Sequence, residues 1–237
     1  MVFKSKKQLK KLSDREFYED IKKYIKSSHE FYGTKVPELR VLAKRLNEEY
    51  KLRGFYKIFN KFWKTGYHSE RSLAIYTLEL YKEEFNLETW KFFKTKLKDI
   101  KSWDKLDSVS ISIIGEILIR EKRIEKDILD MARSNNIWFK RMALMSTIPL
   151  IRKQDIKLAT QICDMLIYNK DENIQIAIGM VLNEVTIQKP LIARKFILRN
   201  RKMPYPTFIA ATENLRDLRS IRKENNGVLL NKIMFWK

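Results

Sequence analysis

The 237 residues read as an all-α chain, and more narrowly as an α-solenoid of about six helical repeats with a concave basic face. Three observations carry that reading. Gly occurs 6 times and Pro 5 times, too seldom for the turn chemistry that many strands need. Apolar residues recur at three- and four-residue steps, as in Leu73, Tyr76 and Leu80 or Ile113 and Ile117, which is the spacing of one helical face. A polar-led apolar segment also returns at a nearly constant interval. About twelve to fourteen helices are expected.

The returning segments are, in order, "RVLAKRLNEEY" from Arg40, "RSLAIYTLELY" from Arg71, "DSVSISIIGEIL" from Asp107, "RMALMSTIPLI" from Arg141, "QIAIGMVLNEV" from Gln175 and, with the polar lead lost, "IAATENLRDL" from Ile209. Their starts are 31, 36, 34, 34 and 34 residues apart. A period near 34 with two helices per unit is what an α-solenoid requires, since no unit can bury its apolar face alone. A non-repetitive helical bundle is the alternative; six segments in phase favour the repeat. The polar breaks "YHSERS", "KSWDKLD", "RSNNIWFKR" and "KDENIQIA" precede the second helix of successive units. Ser102, Asn135 or Asn136, and Asp171 are N-cap candidates there. Asp104, in the first turn of its helix, suits capping and the helix dipole. The loop "NRKMPYPTF", with Pro204 and Pro206, sets off the last unit. The chain is expected to be one domain, 1–237, with the clearest repeats over about 31–220.

Composition narrows the function. Hydrophobic residues make up 44% and aromatics 12%, enough for a folded core rather than a disordered tail. Lys plus Arg number 49 against 29 Asp plus Glu, a net charge of +20. That excess favours a polyanionic partner, nucleic acid before acidic membrane, over a merely solvated basic surface. The one cysteine, Cys163 in "ATQICDMLIY", cannot form an internal disulfide and reads as a core thiol. His29 and His68 with that lone cysteine offer no metal-ligand spacing, so neither metal nor cofactor is expected. The N-terminus "MVFKSKKQLKKLSDREF" has no apolar signal region, and no run approaches a membrane span. A cytoplasmic protein, held at the nucleoid by DNA, is expected.

The leading residues of the second helices are Arg40, Arg71, Asp107, Arg141 and Gln175. Cations and an amide suit a track of phosphates, and Asp107 is the exception. It either forms a structural ion pair with Arg141 or Arg71, or meets positive charge that arises only during a reaction. Cleavage of a nucleoside glycosidic bond makes C1′ of the sugar oxocarbenium-like, and a fixed carboxylate stabilises that charge and orients water. Trp103, four residues earlier, either packs or offers its indole face to the sugar or to a cationic base.

"KSWDKLDSVS", "SNNIWFKRMAL", "NIQIAIGMVLNEV" and, earlier, "FYGTKVPELRVL" resemble the AlkD-type DNA glycosylases built from HEAT-like repeats, from about Tyr24 to Val185. The resemblance implies a solenoid whose concave face holds duplex DNA. It also implies excision of N3- and N7-alkylated purines without extrusion of the base into a deep pocket. It assigns the catalytic aspartate to Asp107, an active-site tryptophan to Trp103, a phosphate-binding arginine to Arg141 and a tyrosine to Tyr24. The expected partner is double-stranded DNA, alkylated or structurally perturbed, bound by a monomer. Three places depart from the family pattern. Met180 stands where the family has a second tryptophan, and Met offers no ring face. Asn183 replaces an arginine, and Phe208 with Ile209 replaces a late basic pair. These departures leave a non-catalytic DNA-structure binder on the same scaffold as the second reading. A protein-interaction scaffold, the third, does not account for the charge.

Overall fold

The computed structural model describes residues 2–24, 30–100 and 103–219. Among them the regular structure is helical, with a single isolated bridge between Glu30 and Tyr67. The helices are α1 (Val2–Lys11), α2 (Arg15–Tyr24), α3 (Val36–Glu49), α4 (Leu52–Trp63), α5 (His68–Glu79), α6 (Leu87–Lys94), α7 (Trp103–Val109), α8 (Glu116–Arg120), α9 (Glu125–Arg133), α10 (Ile137–Met145), α11 (Ile148–Arg152), α12 (Lys157–Leu166), α13 (Glu172–Gln188), α14 (Pro190–Arg199), α15 (Tyr205–Ala211) and α16 (Arg216–Arg219). Two helical runs are interrupted. Residues 110–115 form a π-turn between α7 and α8. The Ser146 and Thr147 hydroxyls return to the Ala143 and Leu144 carbonyls between α10 and α11. Joined across these two breaks, the described helices make fourteen runs, the top of the range expected from sequence. No described helix is long and apolar enough to cross a membrane.

The chain divides into two compact units, one ending at Arg120 and the other beginning at Glu121. In the first unit α4 shows why these residues fold as they do. Leu52, Phe55, Phe59, Phe62 and Trp63 are buried at three- and four-residue steps, while charged residues fill the other face. Phe59 meets Phe55 and Phe93 edge-on at 6.3 and 6.2 Å and stacks on Trp63 at 5.2 Å. That face closes on α5, which also packs on α3. Asn86 caps α6 by accepting from the Glu88 and Thr89 amides. Gly33, at φ 71°, lets the chain turn tightly; a Cβ there would lie 2.3 Å from the Asp14 carbonyl oxygen.

In the second unit α13 packs against α10, α12, α14 and α15. It is accordingly apolar on most sides, with Ile174, Ile176, Ala177, Ile178, Val181, Leu182 and Val185 all buried. Asn136 caps α10 and Asp171 caps α13, the latter through the Asn173 and Ile174 amides at 2.9 and 3.2 Å. Both were cap candidates; Ser102 lies outside the described residues.

Hydrogen bonds give the repeat its most direct expression. In the first unit they join Tyr32 to Glu70, Tyr56 to Thr89, Trp63 to Asp99 and Glu79 to Ser112. In the second they join Arg141 to Asn173, Arg152 to Glu184, Gln154 to Gln188 and Thr207 to Gln175. Every pair is 32 to 38 residues apart. Within each unit, then, each repeat is tied to the next, which is the neighbour-to-neighbour construction of an α-solenoid.

Candidate nucleic-acid interface and active site

The leading residues keep their phase in three dimensions. Arg40, Asp107, Arg141 and Ile209 are the fifth residues of α3, α7, α10 and α15, and Arg71 and Gln175 the fourth of α5 and α13. In each helix the position lies at the end of the first turn. The environments of these residues differ widely.

Arg40 is exposed; its guanidinium stands 4.6 Å from the Tyr76 ring centroid and 3.5 Å from Glu79. Glu79, which periodicity gives no reason to single out, also accepts from Ser112 at 2.7 Å and from Ser108 at 3.4 Å. It thereby ties the Arg40 side chain to the helical run that carries Asp107. Arg71 is half-buried over the Trp63 ring, 4.9 Å from its centroid, and forms no ion pair among the described residues. An ion pair between Arg71 and Asp107, one of the sequence alternatives, is therefore not made.

Asp107 is largely buried, at 9% exposure. Lys105, two residues before it, is 8% exposed. The π-turn beginning three residues after Asp107 has a local cause. The Ser110 hydroxyl donates to the Leu106 carbonyl at 2.6 Å, and that of Ser112 lies 2.7 Å from the Ser108 carbonyl. Side chains thus occupy acceptors of the preceding turn, while the backbone N–H groups reach one residue further back. Such wide turns recur at functional sites. Trp103 and Tyr24 begin α7 and end α2, but their side chains, with that of Asp104, lie outside the described residues.

In the second unit Arg141 is almost wholly buried, at 1% exposure, and its Nη1 donates to the Asn173 carbonyl at 2.7 Å. The leading arginine of α10 thus braces the entrance of α13, a role that spacing alone does not reveal. Gln175 is half-buried; its amide donates to the Asn169 carbonyl at 3.0 Å. Met180 is half-buried beside Gly179, which faces Thr207 and Ala210 of α15. Asn183 donates to Glu213 and accepts from Asn214. Phe208 belongs to the core at 1% exposure. The departures from the family pattern at 183 and 208 are therefore integrated into packing.

A separate pocket of about 200 Å³ in the first unit is walled by Phe17, Phe31, His68, Ser72, Lys105 and Ser108, among others. Asp107 does not line it. His68 stacks on Phe31 at 4.6 Å, and His29 lies outside the described residues. No group of His, Cys, Asp and Glu able to hold a metal occurs among the described residues. Cys163 is fully buried, and burial pushes its thiol pKa up, as befits an inert core thiol.

Residues 5–215 match the family described as DNA alkylation repair enzyme. No curated protein matches the sequence. Among solved structures, "Predicted DNA alkylation repair enzyme from Enterococcus faecalis" aligns with a TM-score of 0.75 and 19% identity over 86% of this chain and 96% of that one. At that identity the likeness is one of fold.

Proposed function

Because the chain belongs to the DNA alkylation repair enzyme family, we propose that it is a monofunctional DNA N-glycosylase releasing N3- or N7-alkylated purines from duplex DNA. The observation that carries this reading is the phase of Asp107. It places a carboxylate at the position in α7 where other second helices carry Arg40, Arg71, Arg141 and Gln175. As the C1′–N bond breaks, its electron pair leaves with the alkylated base, which departs neutral, and the sugar becomes positive. Asp107 stabilises that charge and orients the water, whose oxygen then bonds to C1′ as its surplus proton passes to the carboxylate and on to solvent. At about 4 Å and an effective dielectric of about 20 the attraction is on the order of 4 kcal/mol, roughly a thousandfold in rate. Trp103 is assigned to the sugar or the cationic base. Tyr24, Arg40, Arg71, Gln175 and Met180 are assigned to the flanking strand, and Arg141 acts on it indirectly, by bracing α13.

Two observations favour the second reading, a DNA-structure binder without excision. Asp107 is largely buried, and Met180 offers no ring. Release of 7-methylguanine from alkylated duplex DNA separates the two. The glycosylase reading expects release above the spontaneous rate and a loss of about a hundred- to a thousandfold in Asp107→Asn. No release by the unmodified chain, with duplex binding intact, leaves the binder. Neutralising about five to seven phosphates gives a log–log salt slope of about −5 to −6; a flat salt response defeats both.

A further inference from the structure

Glu79 holds a different place from the other paired acids of the first unit. Glu83 and Glu88 meet Arg120 and Arg53 at the surface, their side chains 74% and 50% exposed. Glu79, the last residue of α5, is only 13% exposed and touches the repeats on both sides. Arg40 of α3 reaches it at 3.5 Å. Towards α7 it accepts from the Ser112 hydroxyl at 2.7 Å and from that of Ser108 at 3.4 Å, across 33 and 29 residues. These two serines stand one helical turn apart, and Ser108 directly follows Asp107.

The run that carries Asp107 needs such a hold. Its wide turn, residues 110–115, has side-chain hydroxyls competing with the backbone for the carbonyls of the preceding turn. The Ser112 hydroxyl lies 2.7 Å from both Glu79 and the Ser108 carbonyl, yet it has one hydrogen to give. A charged acceptor takes that hydrogen in preference to a neutral one. Glu79 therefore draws Ser112 across to α5 and leaves the Ser108 carbonyl to the backbone. It pins the register at which α7 passes into the wide turn, and the phase of Asp107 with it. We propose that Glu79 is a positioning residue, holding α7 so that the Asp107 carboxylate faces C1′ of the sugar while itself staying off the substrate. The clamp follows from these contacts. Its service to catalysis rests on the function proposed above.

The experiment compares the unmodified chain with Glu79→Leu and Glu79→Gln in single-turnover release of 7-methylguanine from alkylated duplex DNA, at saturating protein. Misplacing a reacting group by about 1 Å costs about a hundredfold in rate, and Glu79→Leu should release base more slowly by about that factor. Its duplex affinity does not weaken, because an acid rather than a cation is lost. Glu79→Gln keeps an oxygen for both serines and should recover most of the rate. Amide hydrogen exchange of residues 109–116, measured without DNA, reads the clamp apart from the reaction. It should quicken in Glu79→Leu but not in Glu79→Gln. A Glu79→Leu protein at the parental rate overturns the proposal. So does one whose affinity falls in step with its rate, since that marks a general loss of structure. A Glu79→Gln protein as slow as Glu79→Leu overturns the hydrogen-bond clamp. Should the unmodified chain release no base, quickened exchange in Glu79→Leu upholds the clamp while refuting the catalysis it is assigned to serve.

Discussion

Replacing Gly179 by Ala tests how closely α13 and α15 are packed. A Cβ at position 179 would stand 2.4 Å from the Ala210 Cβ and 3.1 Å from the Thr207 carbonyl oxygen. Neither atom is the loose end of a flexible side chain. To regain ordinary contact, which begins at 3.4 Å, the helices must part by about 1 Å, loosening buried Ile178, Val181 and Phe208 along the same seam. Overpacking of this kind costs about 1–3 kcal/mol, and a clash against fixed atoms belongs at the upper end. Replacing glycine inside a helix returns about 1 kcal/mol. The net expectation is a loss of about 2 kcal/mol. Urea unfolding followed by helical circular dichroism reads it as a lower midpoint at an unchanged slope. Ala210→Gly in the same chain moves the one methyl group across the seam and cancels the helix-propensity terms. The double variant should return to within about 1 kcal/mol of the parent, a coupling expected only of residues in contact. A Gly179→Ala protein as stable as the parent, or a double variant as weak as the sum of the single ones, refutes the argument.

Arg141→Met should lower stability by about 2–3 kcal/mol, since it strips the Asn173 carbonyl of a charge-assisted donor, while leaving the salt slope of DNA binding nearly unchanged; Arg141→Lys should restore little, because a lysine lacks the fork. Unfolding curves and anisotropy on the same preparations separate these outcomes. Asp155 is held below the ordinary carboxylate value of 3.8, chiefly by its hydrogen bond from Lys122. Its contribution is therefore complete above pH 3.8 and lost as pH falls through its lower folded value. The pair is exposed, so it contributes no more than about 1 kcal/mol. Carboxyl NMR titration should find the Asp155 midpoint back near 3.8 in Lys122→Gln.

Much of the architecture was legible in the sequence because repetition writes itself as periodicity. The six leads, five of them polar and the last Ile209, fall at the fourth or fifth position of six helices, and Asn136 and Asp171 cap at two of the polar breaks. What periodicity cannot supply is partners. The lead position of α10 suggests a phosphate contact, yet Arg141 is turned inward to a backbone carbonyl. Glu70, one residue before Arg71, is fully buried and accepts from Tyr32 at 2.8 Å, a pairing across 38 residues that no local pattern encodes. The wide turn at 110–115 leaves no trace in the sequence, because "SISIIG" is apolar or small in every phase and an extra residue does not disturb the pattern. The candidate site shares that limit: the phase of Asp107 is legible, but its burial, the Glu79 link and the seating of Arg71 over Trp63 arise only when repeats stack.

The ties between successive repeats bear on how such a chain comes to be folded. Each closes a segment of about thirty-four residues whatever the total length, at an entropic cost of about 3 kcal/mol that does not grow as more helices are appended. Relative contact order therefore falls with every duplication of the unit, so that lengthening the polymer need not slow its assembly. Gain or loss of whole units becomes a mild event for such a lineage, and an indel inside one unit disturbs only the ties of that unit to its neighbours.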